Sequence, residues 1–155
     1  MIEIKLAAEK DRQGFENLAA ERDKEIRQRR AKNYWGKKFT KLVMEKRLVI
    51  SLDKGKPSGF LYFTFEFIDY PAAYVELIFV SKKSRRKGSA LYLLNRFERL
   101  ASENGFVNVF SSTNPSNRIS LKLHKKLGYK ECGFIYGIEN RRSKEIFLSK
   151  ELKKT

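Results

Sequence analysis

The sequence predicts a mixed α/β (α+β) domain in which an antiparallel meander leads into strand–helix units. Three observations carry this. An apolar run, Ala73 to Val80, meets a basic turn with one glycine, and a helical pattern follows from Leu91 to Asn104. Three strand-like stretches come in close succession before that turn, separated by Gly, Pro and Asp. After it, strand and helix patterns alternate once more and end in a hairpin.

The elements follow in order. Ile2 to Leu6 alternates and reads as a strand. Glu9 to Ala20 places Phe15, Leu18 and Ala19 on one side, a short helix. Glu21 to Asn33 is dense in both charge signs with Ile26 almost alone, which predicts a solvated helix held by i,i+4 pairs. Tyr34-Trp35-Gly36 interrupts it, and Phe39, Leu42 and Val43 form the next helical face. Leu48 to Leu52 is a strand, and Asp53 to Ser58 a turn. Gly59 to Ile68 is a long aromatic strand, in which Phe60, Tyr62 and Thr64 alternate with Leu61, Phe63 and Phe65. Asp69-Tyr70-Pro71 turns the chain into Ala72 to Val80, so these three strands form a meander.

Past the basic turn, Ala90, Leu94, Phe97 and Ala101 recur at spacings of three and four. Asn104-Gly105 ends that helix. Phe106 to Ser111 is a strand, and Ser116 or Asn117 caps a helix that stops before Gly128. Tyr129 to Ile138 and Lys144 to Leu148 pair as a final hairpin. No repeat, linker or low-complexity tract interrupts residues 1–155, so a single domain is expected.

The bulk numbers agree with a folded globule: 41% hydrophobic and 13% aromatic residues. One cysteine, Cys132, permits no internal disulfide and fits a reducing, cytoplasmic compartment; it reads as a small buried hydrophobe. No apolar run approaches the ~20 residues of a membrane span, and the first residues are strand-like with no signal-peptide core. The net charge of +16 invites an acidic or RNA partner. Between Ser81 and Lys130 there are twelve Lys or Arg against two Glu, so +10 of that excess is local.

That local excess brackets the basic turn. A strand, a glycine-bearing turn and a helix form an anion site, because the first helical amides lack internal partners and the helix dipole adds partial positive charge. Arg85, Arg86 and Lys87 add full charges, and Gly88 leaves room for close approach. No Gly-Lys-Ser/Thr ending is present, so this is not a Walker loop. Arg85-x-x-Gly88-x-Ala90 resembles the Gln/Arg-x-x-Gly-x-Gly/Ala signature that follows the fourth strand in the GNAT superfamily of acyl-CoA N-acyltransferases. Asn117, Ser120, Leu123, Lys126, Gly128 and Tyr129 resemble its second block, Asn-x-x-Ala-x-x-Leu-Tyr-x-Lys-x-Gly-Phe, with His124 in the place of the tyrosine.

The resemblance implies a mostly antiparallel seven-stranded sheet with about four helices and splayed, parallel strands four and five. It further implies transfer of an acetyl group from acetyl-CoA to an amine by direct attack, with acetyl-CoA as cosubstrate and no metal. The main chain at Ile78 and Val80 would meet the thioester carbonyl and pantetheine arm. The amides of Arg85, Arg86, Lys87, Gly88, Ser89 and Ala90 would hold the diphosphate, and Asn117 would bond the cofactor. The amine must be neutral to attack, although a lysine-type amine has a pKa of ~10.4. Glu76 is the candidate base, as the one carboxylate in an apolar strand, with Glu66 second; alternatively Glu76 faces solvent. His124 is the candidate acid for the departing thiolate, or else a packing residue beside the pantetheine arm. Tyr129 and Tyr92 read as core, as do Tyr34, Trp35 and Phe39 unless they contact the acceptor. A small molecule or a protein amine would serve as acceptor, although so basic a chain disfavours a strongly cationic polyamine. A homodimer, common in that family, is compatible. An RNA- or ribosome-associated module, or a CoA-binding protein without turnover, are the competing readings.

Overall fold

A computed structural model describes residues 1–153. Among them, seven strands pair in the order β1-β2-β3-β4-β5-β7-β6. The strands are β1 (Ile2–Leu6), β2 (Leu48–Asp53), β3 (Lys56–Phe67), β4 (Tyr70–Val80), β5 (Asn108–Thr113), β6 (Lys130–Tyr136) and β7 (Lys144–Glu151). The helices are α1 (Arg12–Glu25), α2 (Tyr34–Met44), α3 (Ser89–Glu103) and α4 (Arg118–Lys126). Antiparallel registers join β1 to β2, β2 to β3, β5 to β7 and β6 to β7, whereas β4 and β5 run parallel, Ala73 beside Val109 and Tyr74 beside Phe110. The mixed, mostly antiparallel sheet expected from the sequence is therefore present. Two compact units emerge: Met1–Phe63 with Leu77–Phe97, and Thr64–Glu76 with the chain from Glu98 onward.

The first unit is built on aromatics. Phe15, Leu18 and Ala19 of α1, Trp35, Phe39 and Leu42 of α2, Leu48 and Ile50 of β2, Phe60 and Tyr62 of β3 and Phe79 of β4 form one buried cluster. The spacing of three and four puts each helix's apolar residues on a single face. The Phe15 ring lies 4.9 Å from Phe60 and 5.6 Å from Phe39. Burying each such ring contributes about 1.5–3 kcal/mol. The turn between β3 and β4 uses Ile68 and Asp69, both at positive φ (52° and 61°), the backbone of a tight two-residue hairpin.

One expected element is absent as such. The charged stretch 21–33 is not a helix of its own: α1 continues to Glu25, and Arg27 at φ 56° takes the chain out of it. Tertiary contacts decide the boundary. Asp23 is buried and accepts from Trp35 Nε1 at 2.6 Å, with the Arg30 guanidinium 3.4 Å away. Periodicity alone does not announce that a charged residue is wanted inside.

In the second unit β5 alternates between buried and accessible positions. Val109, Ser111 and Thr113 are buried, whereas Phe110 and Ser112 face the other side and are partly accessible. Phe67, Tyr74 and Phe147 pack together on the latter side, with ring centroids 4.4 to 6.1 Å apart. On the outer side of β7 lies β6, exposed along its whole length. Cys132 sits in it and is exposed, not buried as the sequence suggested, because nothing pairs beyond this edge among the described residues. No helix of the described residues is long and apolar enough to cross a membrane.

Candidate active site

The basic turn belongs to the first unit. Gly59 is required where β3 passes the end of β4: a Cβ there would sit 2.7 Å from the Phe79 carbonyl oxygen and 3.2 Å from Val80 Cα. The chain then leaves Val80 tethered. Ser81 N–H donates to the Ser58 carbonyl (2.8 Å), and Ser84 N–H to the Ser81 carbonyl (2.8 Å). From α1, Glu21 accepts both the Ser81 hydroxyl (3.0 Å) and the Lys82 N–H (3.1 Å). Arg85 donates from Nε to the Val80 carbonyl (3.0 Å) and from Nη2 to Glu25 (2.8 Å). Lys87 Nζ lies 2.7 Å from Asp53, whose carboxyl its hydrogen bond holds below the usual range.

Two positive φ values, Arg86 at 66° and Gly88 at 88°, fold the loop back on itself before α3 begins. A Cβ at Gly88 would meet the Tyr92 ring at 3.2 Å. That ring is therefore a wall of the loop, and Tyr92 is exposed instead of buried in the core. Ser89 is buried, and its hydroxyl finds no hydrogen-bond partner among the described residues. An orphaned buried hydroxyl at the first turn of a helix, beside amides with no internal acceptor, is a donor set suited to a phosphate. The sequence reading of this loop missed Glu21, Glu25 and Asp53, because carboxylates that reach it from α1 and β2 carry no local signal. Ile78 and Val80 are half-buried in β4.

The second unit holds the remaining candidates. Asn117 is exposed, and its Oδ1 accepts the Ser120 N–H at 3.1 Å, capping α4. His124 is 1% exposed. Its Nδ1 is 2.7 Å from the Ser120 carbonyl oxygen, which only accepts, so the ring proton is there. Nε2 then accepts from the Ser111 hydroxyl at 2.9 Å. Burial pushes the imidazole below its ordinary pKa, towards the neutral form. A neutral ring with both nitrogens engaged has no proton to hand outward, which is the reverse of what the acid role asks. Tyr129, buried as expected, packs its ring edge 5.0 Å from the imidazole and donates to Glu98 (3.0 Å), which Lys150 also holds at 2.6 Å.

Glu76 and Glu66 are both exposed. The carboxylate that the strands do bring into a polar chain is one the sequence did not single out. Ser112 donates to Glu145 Oε2 at 2.8 Å, and the Tyr74 hydroxyl lies 2.8 Å from the same serine oxygen. Burial raises the pKa of Glu145, and raises that of Tyr74. Nothing in the local pattern Lys144 to Ile146 distinguishes this glutamate; only the pairing of β4, β5 and β7 does.

A sheet with one parallel pair and a glycine-bearing basic loop between β4 and α3 is the arrangement that the resemblance to the acyl-CoA N-acyltransferases implied. Residues 14–129 match the acetyltransferase (GNAT) family, and the chain belongs to it. An aminoglycoside N(6')-acetyltransferase type 1 of Salmonella typhimurium is 36% identical over 61 residues, a stretch covering 39% of this chain and 42% of that enzyme. An N-acetyltransferase structure from Staphylococcus aureus Mu50 superposes with a TM-score of 0.82 at 22% identity, covering 99% of each chain. A putative acetyltransferase from Salmonella typhimurium, solved with its cofactor acetyl-CoA, gives 0.80 at 15% identity over 100% of this chain and 96% of that one. At such identities the structural likenesses establish the fold.

Proposed function

We propose that the protein transfers an acetyl group from acetyl-CoA to an amine acceptor by direct attack, with no covalent enzyme intermediate. The loop 81–90 carries the reading: a backbone turned back at Arg86 and Gly88, an orphaned Ser89 hydroxyl and the start of α3 together offer donors to a diphosphate. The amides of Arg85 to Ala90 hold that group, and Arg86, exposed, faces it with full charge. Arg85 and Lys87 serve the loop differently. Each is already paired with a carboxylate, so their first task is to fix its shape. The main chain of Ile78 and Val80 aligns the pantetheine arm, and Asn117 has its amide nitrogen left for the cofactor once Oδ1 has capped α4.

The bound cosubstrate supplies an acetyl group activated as a thioester. What the chain must add is a means of removing a proton from the acceptor and a donor for the carbonyl oxygen. His124 is assigned to neither; it holds α4 against β5. The aminoglycoside-acetylating relative makes small amine antibiotics a first group of acceptors to try, beside amino acids, peptides with free N-termini and lysine side chains.

Calorimetry with acetyl-CoA, followed by thiol release over an acceptor panel, tests this. Micromolar binding, lost on Gly88→Trp, with turnover of at least one amine is the expected result. Unchanged binding by that variant overturns the loop assignment, and binding without any turnover favours a CoA-responsive protein. A second reading has one specific observation behind it. Arg118, Lys122, Lys125 and Lys126 lie within about a 100° arc of α4, all exposed and none in an ion pair among the described residues. Tight RNA binding with a steep salt slope, and no affinity for acetyl-CoA, favours an RNA-associated module.

A further inference from the structure

We propose that Glu145 is the base of the reaction: it takes the acceptor's proton from within a small cavity that it shares with Glu139 and that receives the acceptor as an alkylammonium group. The proposal rests on the acetyl-transfer reading above.

The hydrogen-bond directions are fixed by chemistry. A carboxylate only accepts, so the Ser112 hydroxyl donates to Glu145 Oε2. Its single proton being used there, Ser112 accepts from Tyr74. The chain thus runs one way, from β4 through β5 to a carboxylate on β7, and it orients that carboxylate through one oxygen. Oε1 has no donor among the described residues. Glu145 lines a cavity whose other walls are Asn114, Ile138, Glu139, Ser143 and Lys144.

Two acidic residues, Glu139 and Glu145, and one lysine, Lys144, are among the residues that line that space. Lys144 Nζ sits 4.5 Å from the Phe134 ring centroid and 5.9 Å from that of Tyr136, and it forms no ion pair with either carboxylate among the described residues. A locally acidic cavity on a chain of net charge +16 is what a cationic acceptor would need, whatever the rest of the surface carries. Partial burial and the charge of Glu139 keep the Glu145 carboxyl above its ordinary pKa, which improves it as a proton acceptor. The charged and titratable groups facing it are Glu139 and Lys144 beside the cavity and Tyr74 on β4, on which Glu76 also acts.

The balance is simple. An alkylammonium acceptor loses two protons in becoming an amide. Glu145 takes the first, which frees the nitrogen lone pair. That pair forms the C–N bond, the C–S bond of the thioester breaks with its electrons on sulfur, and the second proton ends on that sulfur. Ser112 and Tyr74 are positioning residues: they hold the carboxylate but give up no proton.

Glu145→Gln keeps the shape and removes the base. With wild type and variant assayed by thiol release against the best acceptor of the panel, we expect kcat/KM to fall on the order of 100-fold, with acetyl-CoA affinity by calorimetry unchanged. The limb along which wild-type kcat/KM rises with pH should vanish. Ser112→Ala should shift that limb and lower kcat severalfold without abolishing turnover. Glu139→Gln should raise KM for a cationic acceptor more than it lowers kcat. A Glu145→Gln enzyme with wild-type rate and pH profile overturns the proposal while leaving acetyl transfer standing. A wild-type protein that binds acetyl-CoA yet turns over no amine overturns both. Should Glu145→Gln lose acetyl-CoA binding as well, the Ser112→Ala pH profile decides, and an unmoved limb counts against Glu145.

Discussion

The two faces of β5 give neighbouring serines opposite employment. Ser111 donates to His124 on the buried face, and Ser112 donates to Glu145 on the face that opens towards a cavity. Both acceptors are titratable, and burial pushes each towards its neutral form, His124 downward and Glu145 upward. The outcomes differ because of what remains free. His124 has spent both nitrogens inside the fold, while Glu145 has spent one oxygen of two. A hydrogen bond to a serine thus accompanies a ring with no nitrogen left in one case and a carboxylate with an oxygen left in the other. Counting the unspent atoms tells them apart.

The comparison breaks most visibly on turnover: Glu145→Gln should cost about two orders of magnitude in rate and no thermal stability. The sign follows from its raised carboxyl. The folded state favours the protonated form, so the stability this group contributes is present below the ordinary glutamate value and lost as pH rises through the raised one. Removing the charge should thus leave the melting temperature at pH 7.5 equal or higher. His124→Phe should do the reverse. It strands the Ser111 hydroxyl and forces a larger ring into the space beside Tyr129, costing about 2–4 kcal/mol, or roughly 10 °C in Tm, with acetyl-CoA affinity retained by calorimetry.

Next in size is Ser111→Ala, which leaves Nε2 without its donor at about 1–3 kcal/mol in urea melts. Ser112→Ala, one residue along and half-exposed, should cost less than that and move the pH profile instead. A pH series of urea melts sharpens the contrast further. The lowered pKa of His124 contributes stability present above its ordinary value near ~6.5 and lost as pH falls through the folded value. In His124→Phe that acid-side loss should shrink. Smallest of all, Cys132→Ser should change stability by less than about 0.5 kcal/mol, since the strand that carries it is exposed.

The sequence was readable where neighbours along the chain determine the outcome. The apolar run before Ser81, the turn at Gly88 and the capped helix after Asn117 all follow from spacing within a dozen residues. Reading failed where partners come from afar. Glu25 and Asp53 reach Arg85 and Lys87 across 60 and 34 positions, so two cations of the loop carry partners that no local window shows. Glu145 meets Ser112 across 33 positions and Tyr74 adds another strand, so no window of sequence shows the trio. Asp23 looked like one more solvated charge until Trp35 claimed it.

Strand β6 has one more practical side. It carries the only thiol in the chain, in the open and on an edge. A maleimide fluorophore should therefore attach at a single defined point without prior engineering, giving an optical reporter of ligand arrival. The same chemistry warns that preparations handled in air will form disulfide-linked pairs unless a reductant is kept present.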